Sequence, residues 1–424
     1  MRNQITAWLI YIRDSFWFAP LTLSVGGWVL ASALIIVDRT QETSSFTNFE
    51  SVEGARTVLS TIAASSITVA GSVFSLVMVV LVLVSQQYGP LVVSTLSRDR
   101  ILQYGMGVFT ASFVYCLRVL QALEIGFLAP LASSIGIIIG FLDVGLLIFV
   151  LHRISINIRY NNIISNIMNE LKETIAELFP HIQPPSATSL PTDHRSNCEA
   201  VHSTESGYLE LIDKVALVAA ATEADCIISV RYRPGTFVFK GAIIGWVHPS
   251  NKITAALCER INDSLYVGNF RTPEQDVELM VTQLATIAVR ALSPAINDPY
   301  TAMSCIDRLG EALSDIGARP NPQAIFCDTT GKVRLVTRPA TFSSLLSLAF
   351  DQLRHYGQGD LTVQLHLLKT IGMIGEYLHD KEDETILRGY AKYIRLEALA
   401  LHTLDYEMQR IEAAFLDAVG TLAD

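Results

Sequence analysis

The chain has 424 residues, half of them hydrophobic, and a formal net charge of −10 at pH 7. The length allows more than one domain, and the acidic balance excludes nucleic-acid binding through a basic surface. The six cysteines are scattered without a Cys-x-x-Cys pair, which excludes a disulfide framework and predicts no metal site.

Four long apolar runs fill the first third of the chain, at residues 16–37, 58–84, 104–123 and 127–151. A helix of about 20 residues crosses a hydrocarbon core of roughly 30 Å, so each run is long enough to span a lipid bilayer. The sequence therefore predicts a transmembrane domain over residues 1–153. The amphipathic residues 5–12 before the first run predict either an interfacial helix or a longer first span.

Basic residues near the span ends predict that both termini lie in the cytoplasm. In that orientation the inner flanks carry seven basic residues and the outer loops carry two. The inner set is Arg2, Arg13, Arg98, Arg100, Arg153, Arg159 and Lys172, and the outer set is Arg39 and Arg56.

Hydroxyl side chains recur in the second run at steps of three and four, which places them along one side of a helix. We call this set the hydroxyl stripe: Thr61, Ser65, Thr68, Ser72 and Ser75. Such a stripe either packs against another helix or lines a water-filled path. In the second case the apolar residues that follow, Val79, Val80 and Leu83, form a hydrophobic gate.

The last two spans contain further polar and small residues. Ala132, Gly136 and Gly140 recur every four residues and predict a helix-packing face. Arg118 in the third span and Asp143 in the fourth are intramembrane charges, which often mark functional positions. Whether the two side chains form a direct ion pair stays open, because their expected depths in the membrane differ by roughly 9 Å.

Residues 154–206 predict a helix that Pro180 ends, followed by a linker rich in Pro, Ser and Thr. Residues 207–269 are rich in β-formers, with strands at 226–232 and 237–247. The turn and strand over 234–247 are similar to small barrel-sandwich domains of the biotinyl/lipoyl type. The modified-lysine turn of those domains is absent here. The resemblance therefore implies a small β-barrel-like subdomain and no attached cofactor.

Residues 270–424 predict a mainly helical subdomain. Thr272 is expected to cap a helix that begins at Pro273, and Asp298 to cap the next, which ends near Ile316. A polar cluster accompanies these helices: Arg271, Gln275, Asp276, Gln283, Arg290, Asn297, Asp298 and Thr301. This cluster predicts a subunit or subdomain interface, a ligand or ion site, or a catalytic centre.

The remaining residues predict a hairpin and three helices. Strands at 325–328 and 333–337 flank a turn at Thr330 and Gly331. Amphipathic helices near 341–357, 361–379 and 382–418 predict a C-terminal helical bundle.

Several motifs together resemble an uncharacterised bacterial family of predicted membrane proteins, a domain of unknown function. They are Ser-Phe-Trp-Phe at 15–18, Val-Ser-Gln-Gln-Tyr-Gly-Pro at 84–90, Arg-Thr-x-x-Gln-Asp at 271–276, and Ser-Pro-Ala-Ile-Asn-Asp-Pro at 293–299. The resemblance covers nearly the whole chain. It implies four spans in a bacterial inner (plasma) membrane plus a cytoplasmic domain, and it implies no activity. Arg118 departs from the usually apolar third span of that family.

The expected fold class is a four-helix membrane domain joined to a cytoplasmic α+β domain. No nucleophile elbow, nucleotide-binding loop or metalloprotease motif occurs in the sequence, so no catalytic residue is assigned and an enzyme is not expected. The pattern predicts a homo-oligomeric ion channel or related transport protein, regulated through its cytoplasmic domain by ions or a small molecule. Glu50 and Glu53 in an outer loop favour cations. A non-conducting scaffold or signalling protein and a membrane enzyme acting on a lipid or small solute are the alternatives.

Overall fold

The computed structural model describes residues 17–40, 52–88, 100–123, 129–157, 160–180 and 197–420. Residues 5–12 and most of the predicted linker lie outside this described part of the chain. The chain divides into two compact units, Met1–Ile163 and Ile164–Asp424. We call them the membrane-helix unit and the α+β unit.

The membrane-helix unit contains four described helices, each long and apolar enough to cross a membrane. They are α1 (Phe18–Thr40), α2 (Val52–Tyr88), α3 (Arg100–Leu123) and α4 (Pro130–Asn157). The four predicted spans are confirmed as helices. The largest difference is in α2, which has 37 residues. At 1.5 Å per residue it is about 55 Å long and exceeds the hydrocarbon core by several turns.

Small residues allow the helices of this unit to approach closely. A Cβ atom on Gly27 of α1 would lie 2.6 Å from the Ala111 carbonyl oxygen of α3. Gly136 and Gly140 of α4 face Leu59 and Ile62 of α2. The small-residue face predicted for the fourth span therefore packs against the second span, where glycine leaves room for the larger side chain.

The described strands of the α+β unit form two β-sheets. Helix α5 (Tyr160–Leu178) begins at the boundary between the units and precedes the first strand. The strands are β1 (Glu199–His202), β2 (Gly207–Ile212), β3 (Ile227–Val230), β4 (Phe237–Val238), β5 (Ile243–His248), β6 (Leu265–Gly268), β7 (Ile325–Cys327) and β8 (Val333–Val336). One sheet has the order β1-β5-β3-β8-β7 and the other has the order β4-β2-β6. Among the described strands, the pair β3–β8 is parallel and the other pairs are antiparallel.

These pairings do not show the closed barrel expected from the sequence. The predicted second strand is two strands, because β4 pairs with β2 in one sheet while β5 pairs with β1 and β3 in the other. The predicted hairpin is confirmed, since β7 pairs antiparallel with β8. The sheet core includes Leu209, Ile228, Val247 and Leu335, and helices α6 (Lys214–Glu223) and α7 (Ala255–Asp263) cover it.

Helices form the rest of the α+β unit. They are α8 (Val277–Ala291), α9 (Pro299–Gly317), α10 (Phe342–Tyr356), α11 (Leu361–Gly375), α12 (Lys381–Leu401) and α13 (Asp405–Gly420). The last predicted helix is two helices, because the chain leaves helical geometry after Leu401 and restarts at Asp405. The α8 prediction was also wrong at its start. Asp276, not Thr272, is the N-cap, and its carboxylate accepts from the Leu279 N–H.

Candidate functional site

The hydroxyl stripe lies on the exposed face of α2. All five of its side chains are exposed, whereas the opposite face of the helix, which includes Leu59, Ala63 and Val73, is buried against the other helices. Thr61, Thr68 and Ser72 donate their hydroxyl hydrogens to carbonyl oxygens one turn earlier in α2. Among the described residues, the stripe therefore does not pack against another helix of the same chain.

The three gate candidates do not share one face of α2. Val79 and Leu83 are 55% and 47% exposed, whereas Val80 is 7% exposed and packs inward. Each residue step turns a helix by about 100°, so Val80 lies to one side of the line through the stripe and Val79. Val79 and Leu83 continue the stripe, and Val80 belongs to the packing face.

Asp143 of α4 is the centre of a buried polar contact among three spans. Its carboxylate accepts hydrogen bonds from Ser66 of α2 at 2.7 Å and from Ser112 of α3 at 2.9 Å. All three side chains are at most 7% exposed. The two serines escaped the sequence analysis because lone serines in apolar helices are common.

Arg118 has different partners, so it does not pair with Asp143. Its guanidinium donates to the Ser32 hydroxyl at 3.1 Å and to the Gln121 side-chain oxygen at 3.2 Å. It also lies 5.9 Å from the centre of the Trp28 ring. These contacts place the arginine between α1 and its own helix.

Asp38 of α1 binds the first turn of α4, a contact that the sequence did not predict. Its carboxylate oxygens accept from the Leu131 and Ala132 N–H groups at 3.1 and 3.0 Å. A carboxylate at a helix N-terminus satisfies free N–H groups and meets the positive end of the helix dipole. Pro130 as the first helical residue was the available signal for a helix start there.

The first part of the polar cluster lies at the N-terminus of α8. Arg271 forms a two-bond contact with Asp276, at 2.7 and 2.9 Å, and Asp276 is 2% exposed. Gly235 has a φ of +88° and lies so close that a Cβ atom would meet the Asp276 carboxylate. Gln275 accepts from the Ile212 N–H at 3.1 Å, which ties the helix start to strand β2.

The last part of the polar cluster lies beyond the other end of α8. Asp298 caps α9, where it accepts from the Thr301 N–H and hydroxyl. The hydrogen bond from the Thr301 hydroxyl lowers the pKa of Asp298, whereas burial raises it. The hydrogen bonds prevail, so the pKa lies below its ordinary value. Asp276 and Arg290 are separated by about 21 Å of helix. The two ends of the polar cluster are therefore too far apart to form a single site.

A cavity of about 270 Å³ lies beside the N-terminal part of the cluster. The end of α5, the starts of α6 and α8, and the segments around Phe326 and Pro339 line it. Its charged lining residues are Glu177, Lys214, Arg233, Asp276, Glu278 and Arg338. The sequence analysis missed this cavity, because its walls come from segments as far apart as Glu177 and Ala340.

The described segments contain no evident metal-binding or thiol-based site. Within these segments, no group of three or more His, Cys, Asp or Glu side chains is arranged to hold a metal ion. All six cysteines are free thiols.

The family model described as "Predicted membrane protein (DUF2254)" matches residues 13–373. The chain belongs to this family. Its similar relatives include uncharacterised proteins of Mycobacterium bovis and Mycobacterium tuberculosis. Each is 25% identical over 392 residues, which cover 89% of this chain and 74% of the relative. No solved structure matches the chain. Membership of the DUF2254 family identifies the chain as a predicted membrane protein.

Proposed function

We propose that this DUF2254 protein is a homo-oligomeric ion channel of a bacterial inner membrane, with both termini in the cytoplasm. The second spans of several subunits surround a common axis and turn their hydroxyl stripes towards it. The α+β unit regulates conduction and carries out no catalysis. The observation that carries this proposal is the exposure of all five stripe hydroxyls on the face of α2 opposite its packing face.

The dimensions of the stripe support this role. Thr61 and Ser75 are 14 residues apart, or about 21 Å along a helix, which is roughly two-thirds of a hydrocarbon core. Val79 and Leu83 continue the same line with apolar side chains. Hydroxyls can wet such a path, and a short apolar stretch can close it by excluding water.

The charged residues indicate how the chain is oriented in the membrane and whether the conducted ion is positive or negative. The seven-to-two distribution of basic residues around the span ends favours cytoplasmic termini. Glu53 at the start of α2 is exposed, and a carboxylate near the outer end of a path raises the local concentration of cations. A cation is therefore the expected substrate.

Flux through liposomes containing the purified chain tests the proposal. Ser72→Leu replaces a stripe hydroxyl with a bulky apolar group, so we expect cation flux to fall at least tenfold. Ser60→Leu makes the same change at an exposed serine about 100° around α2, and it should leave the flux unchanged. Both variants must retain the oligomeric state of the unmodified chain.

Two results would contradict the proposal. One is no cation flux from the unmodified chain, and the other is equal flux from the two leucine variants. The variant Ser72→Cys provides a second measurement, because a charged thiol reagent should block flux through it only if position 72 faces water. The effect of the reagent on flux through the variant is compared with its effect on the unmodified chain, which contains the native cysteines.

One observation favours a second candidate, a non-conducting membrane anchor for a signalling or scaffold unit. Thr61, Thr68 and Ser72 already bond to carbonyl oxygens of their own helix, so contact with lipid costs them little. In that case the stripe faces lipid, and the thiol reagent does not reach position 72. A membrane enzyme centred on Arg290 and Asp298 has less support, because the described cavity lies at the other end of α8.

A further inference from the structure

We propose that the cavity in the α+β unit is a binding site for a small organic acid, a carboxylate attached to a ring-sized apolar body. The cavity lies within the α+β unit, and ligand binding there does not require that the protein conduct ions. A small organic acid is the chemical class of regulator that such a site would accept.

The apolar part of the ligand is inferred from the walls of the cavity. Phe179, Ile212, Val277 and Phe326 line it together with Pro180, Pro234, Pro322 and Pro339. Aromatic rings and prolines present rigid apolar surfaces and lose little conformational entropy when a ligand contacts them. The volume of about 270 Å³ lies just below the range of roughly 300–1,000 Å³ for drug-sized ligands, so the occupant is small.

Two of the three carboxylates in the lining are already neutralised by the protein. Asp276 is paired with Arg271, and Glu278 is paired with Arg233. An anion that enters the cavity therefore meets little repulsion from these two groups. The charges that remain are the cations of Lys214 and Arg338 and the exposed carboxylate of Glu177.

Lys214 is the group that would bind the carboxylate. Its ammonium lies 5.3 Å from the centre of the Phe326 ring. Within the described part of the chain it forms no hydrogen bond or salt bridge, and the same is true of Arg338. Lys214 is half-buried, and a half-buried ammonium without a hydrogen-bond acceptor is incompletely solvated. A ligand carboxylate would supply the missing acceptors.

Electrostatics at this lysine agree with that role. Burial lowers the pKa of Lys214, and the nearby Glu177 carboxylate opposes the shift only in part. A bound carboxylate would favour the charged ammonium and raise this pKa again. Binding is therefore expected to weaken as pH rises and Lys214 loses its proton, whereas binding of a neutral analogue should not change.

Calorimetric titration of the full chain in detergent micelles tests the site, with 1-naphthoate as the acid and 1-naphthamide as its neutral analogue. Empty micelles provide the blank for partition into detergent. We expect saturable binding of 1-naphthoate at least tenfold tighter than that of 1-naphthamide. No saturable binding, or equal affinity for the two compounds, would overturn the proposal.

Variants locate the binding. Lys214→Met should weaken 1-naphthoate at least tenfold and 1-naphthamide less than twofold, whereas Lys214→Arg should retain most of the affinity. Lys240→Met removes an exposed lysine outside the cavity and should change neither. Equal losses in the two methionine variants would show non-specific attraction and overturn the assignment. If Lys214→Met fails to fold, Arg338→Met supplies the test, since it removes an exposed cation and should weaken only the acid severalfold.

Ligand binding and ion conduction are measured independently. Binding is measured without flux, so a chain that binds 1-naphthoate and does not conduct contradicts only the channel. A chain that conducts and binds neither compound contradicts only the assignment of the cavity.

Discussion

The two units hold buried carboxylates in different ways. In the membrane-helix unit, Asp143 accepts hydrogen bonds from two serine hydroxyls, and Asp38 accepts from backbone N–H groups of α4. In the α+β unit, Asp276 is bound by the Arg271 guanidinium as well as by a helix N–H group. Burying a second full charge among apolar helices costs free energy. The carboxylates of the membrane-helix unit are therefore bound by neutral hydrogen-bond donors. Where water reaches one side of a contact, a guanidinium can pair with the carboxylate and remain partly solvated.

The largest effect is expected where a charged partner is removed. Arg271→Ala leaves the 2% exposed Asp276 without its guanidinium, although the carboxylate keeps its bond to the Leu279 N–H. We expect the free energy of unfolding to fall by about 2–4 kcal/mol, because a buried charge loses its partner. Thermal unfolding of the full chain in detergent measures this loss. Arg260→Ala breaks an exposed pair with Glu223 and should cost under about 1 kcal/mol. Similar losses in both variants would contradict the contrast.

The next effect concerns close packing in the membrane-helix unit. Gly27→Ala would place a Cβ atom 2.6 Å from the Ala111 carbonyl oxygen, whereas the same change at Gly26 meets no atom within 4 Å. We expect Gly27→Ala to cost about 1–3 kcal/mol through overpacking and to lower the Tm in detergent. Gly26→Ala should leave the Tm unchanged or raise it slightly, since alanine favours helix. Equal Tm values would show that α1 and α3 separate without cost.

A smaller effect is expected where the partner is neutral. Ser66→Ala removes one of the two hydroxyls bound to Asp143, and Ser112 still donates to the other oxygen. Hydrogen bonds between membrane helices contribute about 0.5–1.5 kcal/mol, so the loss should be smaller than that of Arg271→Ala. Ser60→Ala, which removes an exposed hydroxyl bonded within α2, is the matched control for thermal unfolding. A loss in Ser66→Ala as large as in Arg271→Ala would remove the distinction between the two units.

The smallest effect is a dependence on pH at the start of α12. Burial, together with Asp380 and Glu382, raises the pKa of Asp383 to about 6. The folded chain therefore binds this proton more tightly than the unfolded chain, so the contribution to stability is present at low pH and is lost as pH rises through 6. Asp383→Asn should reduce the loss in the free energy of unfolding between pH 4.5 and 7 by about 1 kcal/mol or less after solvent screening, which thermal unfolding across this pH range measures. Asp405→Asn, at an exposed helix start, should leave the pH profile as it is.

The sequence correctly predicted the helices and strands that depend on residues close to one another in the chain. The four spans follow from apolar length, the α9 cap from Asp298 beside Pro299, and the β7–β8 hairpin from Thr330 and Gly331. The start of α8 was misplaced because Thr272 is also a favourable capping residue and is followed by Pro273, which suits the first helical position. Contacts with Arg271 and with Gly235 from a distant turn decide between them. The cavity could not be predicted, because no segment of the chain contains more than a small part of its wall.

The sequence by itself determined that α2 has a row of hydroxyls, that four helices are long enough to span a membrane, and that the negative charge lies outside residues 1–153. These are properties of residue type and helical period, which depend on near neighbours in the chain. Only the tertiary structure decided that the row faces away from the other spans, that Asp143 meets Ser66 and Ser112, and that Lys214 reaches a cavity. Those outcomes depend on which side chains from distant parts of the chain pack together. The spacing of residues along the chain does not predict these contacts.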